Sequence, residues 1–198
     1  AGAVLDFNDA VVVGQDTTLT GTTSVDFAAT LDSDATARDV TINSPLTAFH
    51  GIVGGGSALD VLTTDAAGTT TVDTTTVNAA DLMTNDAVVL SQDVTVNATT
   101  SAHFFGTVNS DATARDLTVN SPVTMFHGVV GGVSPLDVLT TDAAGTTTLA
   151  AGATAVTGAD LMFNDALVLG DDVTLNATTS AHFFGTISSR VLAFMEES

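Results

Sequence analysis

The chain contains no cysteine, tryptophan, tyrosine or lysine, only three prolines, and glutamate only at Glu196 and Glu197. Without cysteine there are no disulfides and no thiolate metal sites, so the sequence sets no redox compartment. Without lysine, and with arginine only at Arg38, Arg115 and Arg190, no basic patch can form. Phosphate contacts need such a patch, which excludes nucleic acid as a partner and disfavours anionic membrane surfaces. No apolar run reaches membrane-spanning length, so no membrane insertion is expected. No stretch carries the sustained Leu/Glu/Lys spacing of an amphipathic helix. The chain opens at Ala1 with no basic-then-apolar leader, inside a repeat, and so reads as a mature or excised piece of a longer translation product.

What remains is rich in Thr, Val, Ala, Asp and Gly. Thr and Val favour strands, while Gly, Asn and Asp favour turns. The acidic excess, 23 Asp and Glu against three Arg for a net charge of −20, reads as a solubilising sheath that resists side-by-side association. It also offers oxygen ligands to Ca²⁺, although no cofactor is otherwise expected.

The sequence repeats. Ser101–Leu139 echoes Ser24–Leu62, a period of 101 − 24 = 77 residues, and a third, shortened copy begins at Ser180. Below that period, an Asp followed by an alternating run recurs at Asp16, Asp39, Asp60, Asp81 and Asp93, then at Asp116, Asp137, Asp160 and Asp172. In Asp116-Leu117-Thr118-Val119-Asn120 the apolar side chains fall on one face. Units this small cannot bury that face alone, and coiling into a stack buries it between turns. The expected fold is all-β, a right-handed parallel β-helix (β-solenoid) of about ten turns. It forms a single domain over 1–198, with repeats at about 4–80, 81–159 and 160–189. At about 4.8 Å per turn, ten turns make a rod about 50 Å long. A 77-residue repeat would be four turns of about 19 residues, or three of about 26.

Phe27, Phe104 and Phe183 are equivalent, as are Phe49 and Phe126, and Phe105 and Phe184. All are expected inside, with Phe27, Phe49, Phe104, Phe126 and Phe183 as a core aromatic stack. Asn43, Asn97, Asn120 and Asn176 close similar strands and could form an amide ladder. After Ser189 the repeat breaks. Val191, Leu192, Phe194 and Met195 are the candidate cap or subunit joint.

The chemistry-bearing residues recur with the repeat and therefore read as scaffold. His50 matches His127 and His103 matches His182, so members of a pair stand a long repeat apart. A shared zinc would require the two types to meet on neighbouring turns. Asp39/Asp116, Asp60/Asp137, Asp65/Asp142 and Asp86/Asp165 recur likewise, as turn and strand-start residues. A glycosidase instead needs one special pair of carboxylates. The glycine runs at Gly51–Gly56 and Gly128–Gly132 lack the Lys-Ser/Thr of a phosphate loop. Thr69–Thr71, Thr74–Thr76 and Thr146–Thr148 return only once per long repeat, too seldom for an ice-binding grid. No catalytic, cofactor or metal residues are assigned.

The segments Leu117–Asn120, Phe126–Gly132 and Pro135–Thr148 resemble the degenerate repeats of filamentous-haemagglutinin-like and autotransporter-like bacterial surface adhesins. The likeness runs from about Val4 to Ile187. It implies a β-helical shaft, secretion, and display at the bacterial cell surface or in the extracellular space. The expected function is thus a non-enzymatic structural or adhesive rod. Its partners would be itself, end to end, or flanking repeats of a longer chain, with host or matrix glycans as further candidates. The alternatives are a carbohydrate-active β-helix enzyme and a carbohydrate- or ice-binding module.

Overall fold

Alternation of apolar and polar residues, broken every few positions by turn-formers, produces twenty short strands and no helix among residues 1–189, which the computed structural model describes. The candidate joint residues Val191, Leu192, Phe194 and Met195 lie outside the described residues. The strands pair in parallel, each turn of chain lying on the one before it. A turn has three faces. In one turn these are the strand Thr69–Val72 and the two halves of the strand Thr76–Thr84, before Ala87–Leu90 returns above Thr69–Val72. The longer strands bend at a corner, where pairing skips between Ala98 and Ser101.

The first face can be followed from end to end through Leu5, Val25, Thr47, Thr70, Val88, Val108, Val130, Val156 and Leu175. That is nine rungs, one fewer than the expected ten. The eight steps cover 175 − 5 = 170 residues, about 21 per turn, and stack to roughly 38 Å at the usual inter-strand spacing.

Neither expected division of the long repeat holds. Three turns carry Val25 through Thr47 and Thr70 to Val88, and two further faces, past Val96, reach Ala102. Ala102 is the residue 77 positions after Val25. One repeat is therefore three and two-thirds turns, or eleven faces of seven residues. Equivalent residues fall on different faces, so each copy is rotated by one face relative to the last.

That rotation redistributes the phenylalanines. Instead of one stack there are three columns: Phe7–Phe27–Phe49, Phe104–Phe126 and Phe163–Phe183, with ring centroids 5.0 to 5.7 Å apart. Phe27, Phe49, Phe104 and Phe126 are buried among valines and leucines in one continuous core. Phe183 lies on the last described rung and is 37% exposed, covered on one side by Phe163. Phe105 and Phe184 are not interior. Each follows an inward phenylalanine, so strand alternation turns it outward, and the two are 41% and 67% exposed.

Candidate functional site

The most organised polar cluster lies inside the rod, at a corner. In Thr84-Asn85-Asp86-Ala87 the chain turns between two faces, and Asp86 points inward to only 2% exposure. A buried carboxylate needs partners. The turn below supplies them. Thr64 Oγ1 donates to Asp86 Oδ1 at 2.7 Å, and Thr70 Oγ1 lies 2.9 and 3.0 Å from the two carboxylate oxygens. Asn85 completes the clasp. Its side-chain amide donates to the Thr64 carbonyl at 2.6 Å and its backbone N–H to Thr64 Oγ1 at 3.2 Å. Burial nevertheless pushes the Asp86 carboxyl above the ordinary carboxylate range, outweighing the two hydroxyl donors.

The second copy reproduces every part. Thr141 and Thr147 donate to Asp165 at 2.8 and 2.9 Å, and Asn164 donates to the Thr141 carbonyl at 2.6 Å. Two extra residues between the threonines and this aspartate are absorbed near Ala150–Ala153, where a tight turn bonds Ala153 N–H to the Ala150 carbonyl. The clasp thus survives a change of loop length. Sealed beneath the corner and saturated by hydroxyls, these carboxylates are positioned to bind one turn to the next. In the sequence both aspartates read as turn and strand-start residues, and the threonines carry no mark of burial, because Thr in an alternating strand reads as an outward residue. The signal was present: each Asn-Asp pair follows a Thr-Thr-Asp-Ala-Ala-Gly-Thr-Thr segment by about one turn.

Outside, the ladders differ between copies. In the first, His50 bridges three turns: its Nδ1 lies 2.9 Å from Asp73 above and its Nε2 3.4 Å from Asp26 below. The Asp73 hydrogen bond, helped by the charge of Asp26, raises the His50 pKa against the opposing pull of burial. In the second copy the positions of Asp26 and Asp73 are occupied by His103 and Ala150. There His127 stacks on Phe105 at 4.4 Å and on His103 at 6.0 Å. Burial, and then His103, push its pKa down.

His103 and His127 do therefore meet on neighbouring turns, the condition for a shared zinc, because 127 − 103 = 24 residues is a single turn. Even so, no group of three His, Cys, Asp or Glu side chains that could hold a metal ion exists among the described residues. The rings also cover one another's faces, the surfaces a sugar would stack against.

The remaining candidates sit at corners. Arg38 pairs with Asp34 at 3.0 Å and Arg115 with Asp111 at 2.9 Å, each within its own loop. Asn78, Asn97 and Asn120 form an amide ladder with 2.8 Å steps. Of the threonine run Thr69–Thr71, the middle residue is buried, and outward Thr71 lies between Ala48 and Val89 of the adjacent turns, which leaves no threonine grid there. Searches against family models, curated proteins and solved structures found no match to the chain.

Proposed function

We propose that this chain is a length of non-enzymatic shaft from a bacterial cell-surface or extracellular protein, holding apart or displaying whatever its parent protein binds. The observation that carries this reading is the unbroken parallel ladder through nine rungs, combined with a repeat that turns by one face per copy. Equivalent segments of successive copies then fall on different faces instead of stacking into one repeated patch, which suits a spacer. Continuous hydrogen bonding and the phenylalanine columns supply stiffness, and the net charge of −20 opposes lateral clumping. On this reading the partners are flanking repeats along the axis.

The test is to lengthen the rod. Inserting one further 77-residue repeat between the second and third copies should raise the maximum dimension in small-angle scattering by about 18 Å, from three and two-thirds turns at the inter-strand spacing. The cross-section should stay unchanged. Growth in cross-section, or no growth in length, would remove the shaft reading.

A further inference from the structure

Between the first and second copies, one outward column changes as a unit. Positions 77 residues apart match Asp6 with Met83, Asp26 with His103, Ala48 with Met125 and His50 with His127. The first copy uses these positions for the carboxylate-held His50. In the second, Met83, His103 and Met125 are cross-strand partners on three successive rungs, with His103 between the two methionines. Each alternates with a buried neighbour (Leu82, Ala102 and Thr124), so all three turn outward and are half-buried. His127 follows Met125 by two residues, and its ring centroid lies 6.0 Å from that of His103. Its Nε2 is buried without a hydrogen-bond partner. Packing against rings would account for the methionines, but it leaves this nitrogen with nothing to bind, and such an atom calls for an explanation.

We propose that Met83, His103, Met125 and His127 form a surface site for one soft metal ion, Cu(I), held by thioether sulfur and imidazole nitrogen. The donors choose the ion. Among the described residues no carboxylate or thiolate joins the two imidazoles into a group of three, which removes the usual ligand sets for Ca²⁺ and Zn²⁺. Thioethers and neutral imidazoles are uncharged, and thioethers favour Cu(I) over harder ions. The spacing permits one shared ion. Rungs about 4.8 Å apart let both methionine chains lean toward the central His103. Rings 6.0 Å apart centre to centre are close enough for a nitrogen of each to reach one ion at about 2 Å. Phe105, stacked on His127 at 4.4 Å, shields that ring on one side. The inference does not depend on the shaft reading: a spacer or any other β-helical protein could carry the site.

The experiment titrates the full chain with Cu(I) under anaerobic, reducing conditions. Histidine ring resonances are followed by NMR, affinity is measured by competition with a Cu(I) chelator, and X-ray absorption reads the ligand atoms. Cu(I) should shift His103 and His127 together and leave His50, held by its carboxylates, unmoved. Both sulfur and nitrogen should appear around the ion. Met83→Leu combined with Met125→Leu conserves volume. It should weaken binding by more than the roughly tenfold that loss of an outer-shell partner costs, with the far-UV circular dichroism unchanged. His127→Gln, which alters no strand position facing the core, should weaken it likewise and keeps the test valid if the double variant misfolds. Undiminished affinity in both variants, nitrogen-only ligation, or a shift of His50 as large as that of His103 would overturn the site. Zn²⁺ bound as tightly as Cu(I) at the same two histidines would overturn the choice of ion.

Discussion

Replacing Thr64 and Thr70 together by valine should destabilise the rod by an amount that grows with pH. The substitution keeps side-chain shape and removes the two donors to Asp86, which lie 2.7 to 3.0 Å from its oxygens, together with the hydroxyl that accepts the Asn85 N–H at 3.2 Å. At neutral pH this strands a buried carboxylate, and breaking a buried charged contact costs about 3–5 kcal/mol. When the carboxyl is protonated the loss is that of a neutral buried group, about 1–3 kcal/mol.

The direction follows from linkage. The folded pKa of Asp86 already stands above its unfolded value. Its contribution is therefore fully present below the unfolded value and is lost as pH rises through the folded one. Removing donors to the charged form raises the folded pKa further, and each unit widens the gap between variant and parent by about 1.4 kcal/mol. Repulsion from the other acidic residues cancels in that difference. Guanidinium unfolding of both proteins at pH 4.5 and pH 8 measures it. Because stacked repeats can unfold in parts, exchange of the Asn85–Val88 amides localises the effect. An equal loss at the two pH values, or a loss below about 1 kcal/mol at pH 8, would refute the clasp as an ionised, load-carrying contact.

Two further outcomes are expected. In an NMR titration the repeat-equivalent histidines should separate, His50 protonating above the ordinary imidazole range and His127 below it. The His50 contribution to stability is then full below about pH 6.5 and lost as pH rises through its folded pKa, whereas that of His127 is lost as pH falls below about 6.5. Coincident titration curves would contradict the Asp26–His50–Asp73 ladder, and Asp73→Asn should lower the His50 value. Gly131→Ala should cost more than about 2 kcal/mol in denaturant unfolding, since Gly131 holds φ at +66° and an added methyl would strike the Thr157 carbonyl. A change within about 0.5 kcal/mol would show that this turn tolerates a side chain.

Much of the fold was legible in the chain because a solenoid writes itself locally. Alternation in Leu117–Asn120 fixes which side chains turn inward, the turn-formers fix where the chain bends, and units too short to fold alone must stack. Phe27, Phe49, Phe104 and Phe126 could be assigned to the interior on that basis. Phe105 and Phe184 could not, because a second phenylalanine in a row satisfies the apolar pattern whichever way it points. The clasp was hidden by the same limit. Thr64, Thr70, Thr141 and Thr147 are polar by type and inward by place, and only the carboxylate from the next turn makes that arrangement favourable.

By itself, then, the sequence determined that the protein is a repetitive all-β stack with an acidic surface and no basic patch. These properties follow from residue type and short-range spacing. Only the tertiary structure decided how the repeat maps onto the coil. Seventy-seven residues are eleven faces, and three faces make a turn, so the copies rotate and equivalent residues fall on different faces. That is why the phenylalanines divide into three columns instead of one, and why only the coil shows that Asp26 and Asp73 lie on either side of His50.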